Sequence, residues 1–309
     1  MYGQTIVAII GLDNLSWVNR RAELKIFLDK EVDEDFIINF MPIMIEKYIN
    51  YAHDNNVYSI CAKVSENDKL LKKILINSIM NYIGTIPFSS TFDDKVESEL
   101  LFEHYPNMSK NYDILIPEGK SIPIENLREI QNLDEILYLK NGYIAISPEM
   151  LELLNINVNE FVRTHIDALQ NREKFSIPLG EDKFIIQEGN GNYGISKAIK
   201  EFSYILIDKN FKYLGFCSIL GRSGRNARID IAIIPEYHGL GFGSNFLEAF
   251  YNKLFEKGYL SVTSYVFEFN ELSNKMHKKL AEYSGTRKSS YYINGRFCDI
   301  NIYTKTKTL

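Results

Sequence analysis

The sequence is poor in cysteine: three in 309 residues, Cys61, Cys217 and Cys298, far apart, with no C-x-x-C pair and no histidine at zinc-ligand spacing. Neither a disulfide framework nor a metal site is readable from it. Cys217 and Cys298 lie in apolar, strand-like runs, where a reduced thiol behaves as a small buried hydrophobe. Long apolar runs are also missing. The stretch 6–10 is far too short to span a bilayer, and the N-terminus has no basic region leading into an apolar segment and cleavage site. A soluble, cytoplasmic protein without a membrane partner is expected. Positive charge is not in excess, since 35 Lys and Arg face 40 Asp and Glu for a net charge of -5. A protein that coats nucleic acid wants a basic surface, so no nucleic-acid partner is expected. What is present is ample core material, 45% hydrophobic against 24% charged residues, over a length that suits two domains.

Two passages share an order of elements while sharing few letters. In the first, strand-like 6–10 precedes a loop, a second strand at 22–28, and a helix over 35–53 with Ile37, Ile38, Met41, Ile45, Tyr48 and Ile49 at helical spacing. A short strand at 59–64 leads to a helix from Asn67, apolar at Leu70, Leu71, Ile74, Leu75 and Ile79. In the second passage, 204–207, 213–220 and 228–234 read as strands, and 241–257 as a helix that Gly258 ends. A strand at 261–267, a helix over 271–283, and a hairpin of 291–293 with 297–303 around Asn294-Gly295 complete the series. Between the passages, 112–123 reads as an irregular connector, and 148–170 as one or two helices opened by Pro148. The domain boundary is placed near residue 128, giving domains 1–128 and 129–309.

The stretch richest in chemistry runs from Ile233 and Ile234 through Pro235, Glu236, Tyr237, His238, Gly239, Leu240, Gly241, Phe242 and Gly243 to Ser244, leaving a strand and opening an amphipathic helix. Glycines there let consecutive backbone N–H groups point at one place, and a helix N-terminus adds about half a positive charge. A phosphate group suits such a loop. A tight turn with no ligand is the plainer alternative. The spacing is neither the Rossmann G-x-G-x-x-G nor a Walker loop ending in Gly-Lys-Ser/Thr.

This stretch resembles the pyrophosphate loop of the GCN5-related N-acetyltransferases, the GNAT superfamily, which reads Arg/Gln-x-x-Gly-x-Gly/Ala. His238 stands in the first place, a departure from the family pattern, and Gly241 and Gly243 in the later ones. Ile233-Ile234-Pro235 is similar to the family's strand end, Asn270 with Ser273 and Met276 to its fourth-helix signature, and 291–295 with Asp299 to its final hairpin. The resemblance implies an α/β (α+β) fold of two GNAT-like domains, each a mixed, mostly antiparallel, twisted sheet flanked by helices. It implies acetyl-CoA as co-substrate, with the pantetheine arm between strands 228–234 and 261–267. Ile233, Ile234, His238, Gly239, Leu240, Gly241, Phe242, Gly243, Ser244 and Asn270 would bind it, with no metal. The N-terminal half resembles the family more faintly. At its loop position, 29–35 carries Asp29, Glu31, Asp33, Glu34 and Asp35 and no glycine. Phosphate would be repelled there, and the acids equally suit a helix start, so this half reads as a degenerate copy without a CoA site.

For chemistry, the resemblance places a thiolate-protonating acid at His277 when counted from Asn270, with Tyr283 as a second candidate. An exposed helix face carrying Lys275, His277, Lys278, Lys279 and Glu282 is the plainer reading. Asp230 is the candidate base, in a strand where Ile229 and Ile231 point to the opposite face. Arg222, Arg225 and Arg228 form a basic cluster, read as a solvated loop sooner than as a phosphate or acceptor site. The expected activity is acetyl transfer from acetyl-CoA to a primary amine of a small molecule. The alternatives are a non-catalytic CoA-binding scaffold and an acyltransferase fed by a carrier protein's phosphopantetheine. The oligomeric state is open.

Overall fold

The computed structural model describes residues 6–17, 19–29, 31–110, 116, 121–156, 203–293 and 296–308. Contacts divide the chain into two units, Met1–Ile124 with Ser284–Asn301, and Glu125–Tyr283 with Ile302–Leu309. The boundary expected near residue 128 falls just inside the second unit, while Ser284–Asn301, expected in the C-terminal domain, has its contacts in the N-terminal one.

In the N-terminal unit, β1 (Ala8–Ser16) and β2 (Arg21–Leu28) form an antiparallel hairpin that leads into α1 (Glu34–Asp54). Asp33 starts this helix, its carboxylate accepting the Phe36 N–H at 2.8 Å, with Glu34 and Asp35 in the first turn and His53 in the last. Strand β3 (Ser59–Ser65) lies parallel to β2, and α2 (Lys69–Asn77) follows, capped by Asp68. A long hairpin of β4 (Asn81–Phe92) and β5 (Lys95–His104), absent from the sequence-based assignment, pairs through β5 with β3. The short β6 (Ile122–Pro123) pairs with β5. Ile37, Met41, Ile45 and Ile49, spaced by four, carry α1 onto alternate strand residues Ala22, Leu24, Ile60, Ala62 and Val64. Each such side chain contributes about 1.5–3 kcal/mol by leaving water.

The C-terminal unit begins with β7 (Ile136–Tyr138), β8 (Ile144–Ile146) and α3 (Pro148–Leu153), with Pro148 at the first helical turn as expected. The expected helix to 170 stops at Leu153, 154–156 are not helical, and 157–170 lie outside the described residues, as does the Asn294-Gly295 turn. Strands β9 (Tyr204–Ile207), β10 (Tyr213–Ser223) and β11 (Asn226–Ile233) continue antiparallel from β8. Then come α4 (Phe242–Glu256), β12 (Ser261–Phe267) parallel to β11, and α5 (Glu271–Leu280). Gly258, at φ 104°, follows the end of α4. The chain closes with the hairpin of β13 (Glu282–Ile293) and β14 (Arg296–Thr306), of which Ser284–Asn301 belongs to the N-terminal unit. Phe246, Leu247, Phe250 and Leu254 of α4 pack on Ala227, Ile229 and Val262, which leaves Arg228, Asp230 and Thr263 on the other face of the sheet. The result is a mixed α/β architecture with a mostly antiparallel sheet and flanking helices. Cys61, Cys217 and Cys298 are buried free thiols.

Candidate active site

The parallel ladder between β11 and β12 pairs Asn226 with Ser261 through Ile229 with Ser264 and stops there, although the strands run on to Ile233 and Phe267. The two strands therefore part at Asp230 and Tyr265. Beyond that point no pair joins β11 to β12, and an extended chain lying between two separated strands can be held by main-chain hydrogen bonds.

The glycine loop lies at the end of β11. After Ile233 and Ile234, a single 3-10 turn over Pro235–Tyr237 leads to His238. The His238 ring Nε2 lies 2.7 Å from the Ile233 carbonyl, so Nε2 carries a proton and donates it. The imidazole ties the loop back to the strand end. Gly239 (φ 77°) and Gly241 (φ 84°) both take left-handed backbone. Leu240 is exposed. Gly241 is the N-cap of α4, and no side chain caps this helix. Phe242 is buried against Tyr143 and Tyr237, edge to face at 4.8 and 5.5 Å. At Gly243 a Cβ would stand 3.1 Å from the Met276 Sδ and 3.6 Å from Ile233, so a larger residue would press on the Met276 side chain of α5. The first-turn N–H groups, with Ser244 among them, form an anion-attracting helix start whose own first turn carries no carboxylate.

At the place of this loop, the N-terminal unit does the opposite. The Asp29 carboxylate accepts the Glu31 N–H at 3.0 Å and Asp33 the Phe36 N–H, so donors that could hold a phosphate are already satisfied by negative charge. Its parallel ladder also stops early, after Glu23 and Cys61. There Glu23 accepts hydrogen bonds from Lys25 at 2.5 Å and from Asn14 at 3.1 Å.

Helix α5 places the remaining candidates. Asn270 caps it, its side-chain oxygen accepting the Ser273 N–H at 3.2 Å, which gives Asn270 a structural task at this position. Asn274, overlooked in the sequence, donates to the Phe267 carbonyl at 2.8 Å and accepts the Tyr303 hydroxyl at 2.9 Å, fixing α5 to β12 and β14. Its i+4 relation to Asn270 was the available signal. His277 is not on a solvated face. It is 1% exposed and stacked on Tyr303 with ring centroids 5.6 Å apart. Its Nδ1 donates to the Ser273 carbonyl at 2.9 Å, which leaves Nε2 as a buried acceptor without a partner. Burial pushes its pKa down to about 4, only partly countered by the Ser273 carbonyl. At neutral pH the ring is uncharged and carries a lone pair at Nε2, so the proton expected of an imidazolium acid is not there.

Tyr283, expected on the helix, lies in β13, 58% exposed, because α5 ends at Leu280 and Ala281 turns extended. Its ring lies 6.0 Å from that of Tyr303. Asp230 is half-buried at the point where the strands part, and its Oδ1 accepts the Ile231 N–H at 3.0 Å.

Residues 172–282 match the family model described as the acetyltransferase (GNAT) family. By this match the segment is similar to GNAT acetyltransferases. Among solved structures, an N-acetyltransferase from Staphylococcus aureus Mu50 is 21% identical over 33% of this chain and 66% of its own, with a TM-score of 0.32. A GNAT superfamily phosphinothricin acetyltransferase from Sinorhizobium meliloti, solved with AcCoA, is 19% identical over 33% of this chain and 59% of its own, with a TM-score of 0.31. The chain thus spans less than two thirds of the length of both. RimL, a ribosomal L7/L12 alpha-N-protein acetyltransferase in an apo crystal form, is 15% identical over 58% of this chain and 98% of its own, with a TM-score of 0.43. No curated protein matches the chain. Among the described residues, no helix is long and apolar enough to cross a membrane, and no group of three or more His, Cys, Asp or Glu side chains is arranged to hold a metal ion.

Proposed function

We propose that the GNAT domain binds acetyl-CoA and transfers its acetyl group to a primary amine of a small molecule by direct attack. The observation that carries this reading is the conjunction of an opened β11–β12 ladder with an uncapped, glycine-opened helix at the end of the same strand. The pantetheine arm would lie in the gap from Asp230 and Tyr265 onward. The pyrophosphate would meet the N–H groups from Gly239 to Ser244. His238 would shape the loop, with its side chain on Ile233, rather than touch phosphate. Asp230, at the mouth of the gap, would take the proton of the attacking amine. His277, neutral, would orient by accepting a hydrogen bond at Nε2, and the thiolate would be protonated by Tyr283 or by solvent. The N-terminal unit would be a copy of the same element series that binds no CoA.

Thiol release from acetyl-CoA across a panel of primary amines tests this. Turnover with at least one amine supports it. Tight acetyl-CoA binding with no turnover on any amine would make the domain a CoA-binding scaffold, and turnover only with a thioester on a carrier protein would move the donor from CoA to that carrier.

A further inference from the structure

The basic cluster plays no part in the glycine loop or the opened ladder. Arg225 opens the hairpin end of β11, eight residues before Ile233, about 25 Å along the strand from the glycine loop. Its carbonyl accepts the N–H of Leu260 at 2.9 Å and of Ser261 at 3.3 Å, which fixes its backbone. Its guanidinium lies over Gly258, with Nη1 3.6 Å from where a Cβ would stand. This Nη1 is buried and has no hydrogen-bond partner, and the hydroxyl of the adjacent Tyr259, a residue 1% exposed, is in the same condition. The Arg222 guanidinium stands over the Tyr259 ring, 5.8 Å from its centroid. Burial pushes the Tyr259 phenol up, while Arg222 and Arg225 pull it back, so the hydroxyl lies within electrostatic reach of both cations. Among the described residues no ion pair involves either arginine.

A buried donor left unsatisfied is costly, and more so when charged. Here two such donors, one cationic, belong to a cluster with a second cation over the Tyr259 ring, and among the described residues neither arginine is ion-paired. The partner they lack is an acceptor with negative charge. The planar fork of arginine matches the oxygens of a phosphate better than a single-point cation would. We infer that Arg222, Arg225 and Tyr259 form a binding site for a phosphate-type oxyanion at the end of the C-terminal sheet remote from the glycine loop. The ligand is either the free ion or a phosphate carried on a larger molecule, and the site does not depend on the acetyl-transfer reading.

Calorimetric titration of the full chain with inorganic phosphate, at constant ionic strength against chloride, tests it. The titration is made in the Gly241→Glu background, so that the glycine loop contributes nothing. One saturable site is expected. Arg225→Gln should weaken it about tenfold or more, through loss of a charge-assisted pair, and Tyr259→Phe should weaken it less. Unchanged melting temperatures would show that both variants fold. A phosphoserine peptide binding more tightly than inorganic phosphate identifies a carried phosphate, and equal or weaker binding the free ion. Absence of saturable phosphate binding, or binding that Arg225→Gln leaves intact, overturns the site.

Discussion

His277 occupies the place where the GNAT resemblance puts a proton donor, yet its surroundings hold it neutral: it is 1% exposed and its pKa lies at about 4. The sequence locates the residue and says little about its burial, because the neighbouring lysines suggest a wet helix face while Tyr303, which covers the ring, is 26 residues away. A histidine depressed in the folded state binds its proton first in the unfolded chain. Stability is therefore full above pH 6.5 and falls as pH drops toward 4, by up to about 3 kcal/mol for this group. Urea unfolding between pH 7.5 and 4.5 should show a shallower loss in His277→Gln than in the wild type, and parallel curves would contradict the assignment. Asp230 is the reverse case, since strand alternation alone separates it from Ile229 and Ile231, and the structure adds that it stands where the ladder ends. Asp230→Asn should lower kcat about 10²-fold or more with little change in acetyl-CoA affinity. An unchanged kcat would assign proton removal elsewhere.

At the scale of elements, helices announced themselves wherever an apolar stripe met a capping signal, as in α1 behind Asp33 and in α4 after its glycines. The β4–β5 hairpin did not. Its two-residue turn is Asp93-Asp94, with φ 45° and 58°, a left-handed pair usually marked by glycine or asparagine and here by neither. A bulge between Ile86 and Ser90, with Phe88 at φ 54°, further breaks the alternation on which a strand assignment rests. Asp94→Gly should relieve the left-handed strain and stabilise the N-terminal unit by about 0.5–1 kcal/mol. Equal or lower stability in urea would argue against that turn geometry. The end of α5 was misread for the opposite reason, since Ala281, Glu282 and Tyr283 contain no helix stop and only strand formation draws them out. Asp33→Ala should cost about 1 kcal/mol, because an uncapped α1 loses its acceptor for the Phe36 N–H, and thermal unfolding measures it.

Over the whole chain, hairpin, helix, parallel strand, helix and hairpin occur twice, as β1 to β5 with α1 and α2 and as β10 to β14 with α4 and α5. The repeat was legible in element order, because hydrophobic periodicity survives when letters change. What distinguishes the two series is electrostatic and local. One series leaves the N-terminus of its helix uncapped behind Gly239 and Gly241, and the other fills the same place with Asp29 and Asp33. Of the two helix starts, only the one behind Gly239 and Gly241 should therefore hold the pyrophosphate of acetyl-CoA. Calorimetry of acetyl-CoA against the full chain tests this most directly. One site is predicted in the wild type and none in Gly241→Glu, where a side chain at φ 84° and a negative charge would enter the pyrophosphate position. Two equivalent sites per chain, or an affinity untouched by Gly241→Glu, would contradict it.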